Sequence, residues 1–410
     1  MSVKKNIFIL LIVQGFNYLF PLLTFSYISR ILGPENFGKI GLAQSIIIYF
    51  TFVVDFGFNL IATRNISFAF SVKDQATINK IYSETIAAKF ILAIISFFII
   101  ILISFLFNQL KDISFLLIIG SLTLIGNVFF PIWLFQGIQK MGSMALLSTI
   151  TKLVSVLLVF ITVNERNDLN WAMFSQSLGG VISAGFSLYM VKKLKYAIFV
   201  KVKINEILKS LKNGFPIFLS YIFSSIYTTL NLFICSFFIS AKDLGFYASA
   251  DRLRQISQTV IVPVQQGVYP HISGCVDNKK IFFNQLFKYG AFLILVGFLI
   301  SLGLYFFSNY IVLLLLGNEY LAVNSILKIL SIVPFLISLS IVFGQWGLIN
   351  LNKEKTLSKV YIVAGLVHLI HIFIFLKLFG VLGAAYSIVI TESLVSLVLI
   401  ICFFRICRKC

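Results

Sequence analysis

Long apolar runs separated by short polar interruptions make up this chain from end to end, with no sustained two-residue alternation. A helix of roughly 20 apolar residues crosses the ~30 Å hydrocarbon layer of a bilayer, so each run reads as a membrane helix. Hydropathy and helix breakers give about twelve spans, over residues 7–29, 38–62, 86–107, 113–138, 144–163, 171–191, 214–239, 245–270, 286–307, 322–349, 357–376 and 380–404. A membrane barrel would instead alternate in segments of about ten residues. Backbone polar groups inside lipid must be satisfied within the span or a closed sheet, so the fold class is all-α and polytopic.

The run from Leu32 to Arg64 is not uniformly apolar: Gln44, Thr51, Asp55, Asn59 and Thr63 fall on one helical face. A carboxylate at mid-bilayer costs about 2.5–3.5 kcal/mol on insertion scales, so Asp55 is expected to face a bundle interior or a wet cavity. A second stripe, Asp251, Arg254, Gln255, Gln258 and Gln265, repeats the pattern later. Gly38 aligns with Gly245, Ala43 with Ala250, Gln44 with Asp251 and Thr51 with Gln258. The shift is about half the chain, as duplicated transporter halves would give. Gln136-Gly137 with Trp346-Gly347, and Trp171-Ala172 with Gly383-Ala384, extend the correspondence. Because each half holds an even number of spans, the halves are expected to be two six-helix lobes related by a pseudo-two-fold axis along the membrane normal. The expected division is an N-terminal lobe 1–191, a basic cytoplasmic linker 192–213 and a C-terminal lobe 214–410.

Composition narrows the class. With 59% hydrophobic and 11% charged residues there is no room for a sizeable soluble domain. The net charge of +19 would suggest a nucleic-acid partner in a soluble protein. Here Lys and Arg sit mostly in loops on the N-terminal side, roughly four to one, which predicts cytoplasmic termini and no nucleic-acid role. The basic start MSVKK is followed by a run too long for a secretory leader and is read as the first span. The segment 192–214 places Lys195, Lys201, Lys203, Lys209 and Lys212 among apolar residues, as an amphipathic helix on anionic lipid or a plain connection between lobes would. Prolines 21, 131, 216, 263, 270 and 334 lie in or at the ends of spans, as kinks. The five cysteines, including the Cys407/Cys410 pair, have no metal-type spacing and receive no role.

The runs RILGPENFGKIGLAQS, DFGFNLIATRNIS and YASADRLRQISQTVIVPVQQGVYPHIS, with FGVLGAAYSIVITE near the last span, resemble the polysaccharide and O-antigen flippases (Wzx-type) of the multidrug/oligosaccharidyl-lipid/polysaccharide (MOP) exporter superfamily. The resemblance implies a MATE-like pair of six-helix lobes that open alternately to the two sides. It implies a bacterial inner-membrane protein that turns an undecaprenyl-diphosphate-linked oligosaccharide from the cytoplasmic to the outer leaflet, with membrane lipids and other polysaccharide-assembly proteins as partners. No cofactor is expected, though a proton gradient, a sodium gradient or the membrane potential could drive the work.

Such cargo needs cations for its diphosphate and polar side chains for its hydroxyls. Arg252 and Arg254 lie seven and nine residues into their span, roughly 10–14 Å deep at 1.5 Å per residue. They are expected to contact substrate, the alternative being a static ion pair with Asp251 that pins two helices. Arg254 shares the face of Gln258, whereas Arg252 lies about 160–200° around the helix from it. Lys152, Asp55 and Glu392 are the other deep ionisable candidates. Gln44 and Gln258 suit sugar hydroxyls, and Arg64, at a helix end, is either a snorkelling anchor or a gate. Tyr49, Trp133 and Trp346 are either sugar-stacking faces or core, and His368 and His371 either a proton relay or packing. An ion-coupled multidrug antiporter of the same superfamily would want an acidic cavity. A membrane polymerase or glycosyltransferase would want a large outer loop, a DxD-type metal motif or a nucleotide-binding Gly loop, none of which is written here, so no enzymatic activity is expected.

Overall fold

Glycine and proline decide where the apolar runs bend and break. The computed structural model describes residues 3–276 and 278–408, and among them it is helical, with no strand. Among the described residues, seven helical stretches are long and apolar enough to span a bilayer: Leu19–Ser71, Gln75–Leu106, Ser114–Gly137, Lys279–Leu315, Val323–Ile349, Glu354–Phe379 and Val381–Cys407. Leu146–Thr162 and Ile217–Thr228 are shorter apolar helices.

The sequence reading places a loop between its first two spans. Between Val3 and Asp55 two helices instead meet directly, with only Gly33 (φ 73°, ψ 171°) outside helical geometry, immediately before Pro34. Only glycine takes that φ without strain, and Pro34, which lacks a backbone donor, suits the first turn of the second helix, so a single residue makes the kink. A second interruption, at Phe56 (φ 44°) and Gly57 (φ 77°), splits the 38–62 span into helices ending at Asp55 and starting at Phe58. A Cβ on Gly57 would also meet Ile217 Cγ2 at 2.8 Å. The 245–270 span is likewise two helices, Ala241–Gln258 and Ile261–Ser273, broken at Thr259-Val260. Pro263 cannot donate to the carbonyl of Thr259, which removes the bond that would have closed that turn. The Val323–Ile349 stretch widens to π-helical turns over Ile341–Ile349, a local unwinding frequent at functional sites.

The Gln75–Leu106 helix starts well before residue 86, the predicted start of the span. Asp74 accepts from the Thr77 hydroxyl and backbone N–H (3.0 Å), bonds that hold its carboxyl below the ordinary range. Of the two alternatives for the segment 192–214, a continuous amphipathic helix does not form. The preceding helix ends at Lys193, Lys195 turns the chain (φ 52°), residues 197–203 carry no helix, and a helix resumes at Ile204 and runs to Thr228. Cys410 lies outside the described residues, and Cys407 is half-buried at the end of the Val381–Cys407 helix.

Contacts group the chain into two compact units, Met1–Gly33 with Leu42–Ile222, and Pro34–Gly41 with Phe223–Cys410. In the first, Phe58, Ala88 and Ile207 pack together, and Trp133 is fully buried near Tyr82. In the second, Trp346, Phe282, Phe343 and Phe403 centre the core. Trp133 and Trp346 are core residues, not exposed faces for stacking. Within the second unit Gly38 packs on Gly245, the position aligned with it in the internal repeat. A Cβ on Gly245 would sit 1.8 Å from the Pro34 carbonyl oxygen, and one on Gly38 2.2 Å from that of Ala241. Backbone cannot yield as a side chain can, so Gly245→Ala is expected to destabilise the protein by about 1–3 kcal/mol. Gly303→Ala, with nothing within 4 Å, is the neutral comparison; thermal melting of the purified protein reads both.

Candidate functional site

Among the described residues, each unit encloses a buried ion pair. In the first, Lys89 is 1% exposed, and its Nζ donates to Asp55 Oδ1 (2.9 Å) and to the Asn127 carbonyl (3.0 Å). Both acceptors lie at the C-terminal ends of helices, Val3–Asp55 and Leu122–Phe129, where orphan carbonyls concentrate negative potential. Asp55 adds a full negative charge at the first of these ends, and one lysine offsets both. Lys89 was not among the candidates that the sequence singled out. Its position three residues inside the predicted 86–107 span was the available signal.

Other candidates in this unit do not join that cluster. Gln44 donates from Nε2 to Gln176 Oε1 (2.8 Å), and the Thr63 hydroxyl bonds the Asn59 carbonyl (2.6 Å). Lys152 is half-buried on the Met141–Thr162 helix, and Arg64 is exposed on Phe58–Ser71. Tyr49 is half-buried, with its ring edge-on to Phe50.

In the second unit, Asp251 and Arg254 are each 6% exposed on the Ala241–Gln258 helix. Arg254 donates to Asp251 Oδ1 from Nε (2.8 Å) and Nη2 (2.5 Å), while Gln255 Nε2 donates to Oδ2 (2.8 Å). The pair is therefore made within one helix, and pinning two helices is not its job. Arg252, on the same helix, is exposed, as its angular offset from Arg254 requires.

Arg254, Gln255 and Gln258 line a cavity of about 250 Å³ with Tyr227, Thr228, Thr229, Ile337, Ile388 and Glu392. At about 30 Å³ per water it has room for roughly eight waters, below the ~300 Å³ of ordinary drug-sized pockets. It accommodates one polar group, a phosphate or a single sugar ring. Two of its polar side chains are unspent: Gln258 Nε2 is buried without a partner, and among the described residues no hydrogen bond or ion pair reaches the Glu392 carboxylate. Glu392 is 6% exposed and lines the same cavity as Arg254. Thus Arg254, Gln258 and Glu392 are brought together, with Asp251 behind Arg254.

Next to Glu392, Thr391 faces the other way. Its hydroxyl meets His368 Nδ1 (2.8 Å) and His371 Nε2 (3.1 Å), and His368 Nε2 reaches Asn231 Oδ1 (3.1 Å). Asn231 Nδ2 in turn donates to the Tyr247 hydroxyl. The histidines are thus bonded into the wall behind the cavity rather than lining it. Tyr227, Thr228 and Thr229 were not legible in the sequence, because they lie in the middle of the apolar 214–239 span with no charge to mark them.

This arrangement of helices is the fold of the MOP superfamily of membrane transporters. The chain is similar to a multidrug resistance MATE family transporter in an inward-facing conformation (TM-score 0.76, 17% identity, 93% of this chain and 92% of that one). It is similar also to the lipid II flippase MurJ (TM-score 0.77, 17% identity, 95% and 86%). The chain belongs to the polysaccharide biosynthesis protein family, whose model matches residues 3–276. Among curated relatives, a Shigella dysenteriae protein named "Putative O-antigen transporter" is 36% identical over 394 residues, 96% of this chain and 98% of that one. An Escherichia coli (strain K12) protein of the same name is 34% identical over 397 residues, 97% and 95%. Both of these relatives are named as transporters rather than as enzymes.

Proposed function

We propose that the chain is a flippase that moves an undecaprenyl-diphosphate-linked oligosaccharide from the cytoplasmic to the outer leaflet of the bacterial inner membrane. The observation that carries this reading is the buried Arg254 guanidinium at the wall of a cavity in an otherwise apolar helical unit. A deep arginine is costly enough in a membrane to mark a substrate path, and its planar fork suits phosphate oxygens. Asp251 neutralises it when the cavity is empty, so an arriving anion finds a cation already oriented and already desolvated. The lipid tail can stay in the bilayer while the polar head passes; the relatives named for O-antigen transport and the flippase fold of MurJ support this cargo class.

The two lobes 1–191 and 214–410, joined through 192–213, would rock to expose the headgroup path alternately, as the resemblance implies. An inside-negative potential favours outward movement of an anion by about 2.3 kcal/mol per charge per 100 mV. Two uncompensated charges would gain roughly 4–5 kcal/mol per 100 mV, a sufficient bias without a chemical cofactor.

Deleting the gene in the host and analysing lipid extracts tests the proposal. The expected result is loss of surface glycan with accumulation of the complete lipid-linked repeat unit. Normal lipid-linked pools, with increased sensitivity to cationic drugs, would overturn it in favour of the antiporter.

A further inference from the structure

The stretch between the Leu169–Lys193 and Ile204–Thr228 helices is tied along the Gln75–Leu106 helix by three hydrogen bonds. Gln75 Nε2 donates to the Tyr196 carbonyl (3.0 Å), Ile198 N–H to Asn79 Oδ1 (3.0 Å) and Val200 N–H to Ser83 Oγ (2.9 Å). The spacing explains why the three bonds form together. Four helical residues advance about 6.0 Å and two extended residues about 6.6 Å, so residues 75, 79 and 83 keep step with 196, 198 and 200. Lys80 closes the end of the segment with an ion pair to Glu206 (2.5 Å), an interaction that holds the Glu206 carboxyl below its ordinary range.

What this clamp displays is unusual for a segment between spans. Ile198, Phe199 and Val200 are all exposed, at 61%, 60% and 40%, and Leu194, Ile204 and Leu208 are exposed beside them. Lysines frame them, also exposed: Lys192, Lys193 and Lys195 before, Lys201 and Lys203 within, Lys209 and Lys212 after. Glu206 is the only acid of the stretch, and Lys80 already engages it. The apolar helix Ile217–Thr228 begins five residues past Lys212, which puts the segment at the bilayer boundary.

We propose that residues 194–212 form a docking surface for anionic phospholipid, the apolar side chains entering the acyl boundary while the lysines meet headgroup phosphates. A single-signed charge beside a rigid apolar ridge at the membrane edge matches an anionic leaflet. A protein interface fits less well, because lysine is depleted from such interfaces. The inference is independent of the cargo, since nothing in it involves the Arg254 cavity.

The full chain in nanodiscs of phosphatidylcholine, with or without phosphatidylglycerol, tests it by hydrogen exchange. Amides of 199–212 are expected to exchange roughly tenfold slower in the anionic discs, the difference vanishing in ~0.5 M salt, where the screening length falls to a few ångströms. The variant Lys201→Gln/Lys203→Gln/Lys209→Gln/Lys212→Gln should lose the lipid dependence while the Gln75–Leu106 helix keeps its protection. Equal exchange in both discs, the outcome a soluble protein partner's site would give, overturns the proposal. So does a lipid dependence that survives in the four-lysine variant.

Discussion

Lys89→Met is expected to destabilise the protein by about 3–5 kcal/mol, the usual cost of stranding one member of a buried ion pair. The lysine is enclosed, and its ammonium is shared between the Asp55 carboxylate and the Asn127 carbonyl. Methionine matches its length but strands a carboxylate at a helix C-terminus, where the helix dipole adds to the penalty. Loss of packing alone predicts no rescue by a change at Asp55. Loss of charge balance predicts that Lys89→Met/Asp55→Asn regains most of the stability, because the remaining amide can donate to a carbonyl and carries no charge. The coupling energy of that double-mutant cycle, read from thermal melts in detergent, decides between the two. Additive single effects would show that Asp55 and Lys89 are neighbours without being partners.

This pair marks where the sequence stopped being informative. Asp55 was legible as a residue that must avoid lipid, because an acid in an apolar run has few places to go. Its partner was not, since Lys89 is 34 positions away and hydropathy begins the span at 86, whereas the helix begins at Gln75. Apolar periodicity sets the class of the fold, but a helix start in a polar interval is decided by a cap such as Asp74, which hydropathy ignores. The opposed directions of Arg252 and Arg254 followed from helical geometry alone, because both lie in one unbroken helix. The break at Phe56-Gly57 and the extended stretch 197–203 were hidden for the same reason: each is fixed by contacts with distant segments, Ile217 in one case and Asn79 and Ser83 in the other. The cavity was half legible. Arg254, Gln258 and Glu392 could be picked out as polar residues in apolar runs, but only the tertiary fold places Glu392, 138 residues on from Arg254, on the same wall.

The transport reading makes its largest demand on Arg254. Arg254→Ala removes the cavity's guanidinium and leaves Asp251 buried with only Gln255 as a donor, so it would damage both folding and transport. The separating variant is Asp251→Asn/Arg254→Gln, which keeps comparable volume and hydrogen-bonding capacity within the helix while removing both charges. Exchanging a buried ion pair for a neutral pair is often close to neutral for stability, so this protein should accumulate in the membrane at the normal level. Its transport should nevertheless fall, because the cavity retains the Glu392 carboxylate without a cation to receive a diphosphate. Truncating a desolvated charged contact costs about 2–5 kcal/mol, or some 30-fold to several thousand-fold in affinity. Arg254→Lys should sit between the two, since it keeps the charge and gives up the bidentate fork. Surface glycan, the lipid-linked repeat unit left in the membrane and the amount of inserted protein are read together. Wild-type export by the neutral pair would show that the positive charge at 254 is not used on the cargo, and would leave Gln258, Thr228 and Thr229 to recognise sugar hydroxyls without a phosphate contact in this cavity.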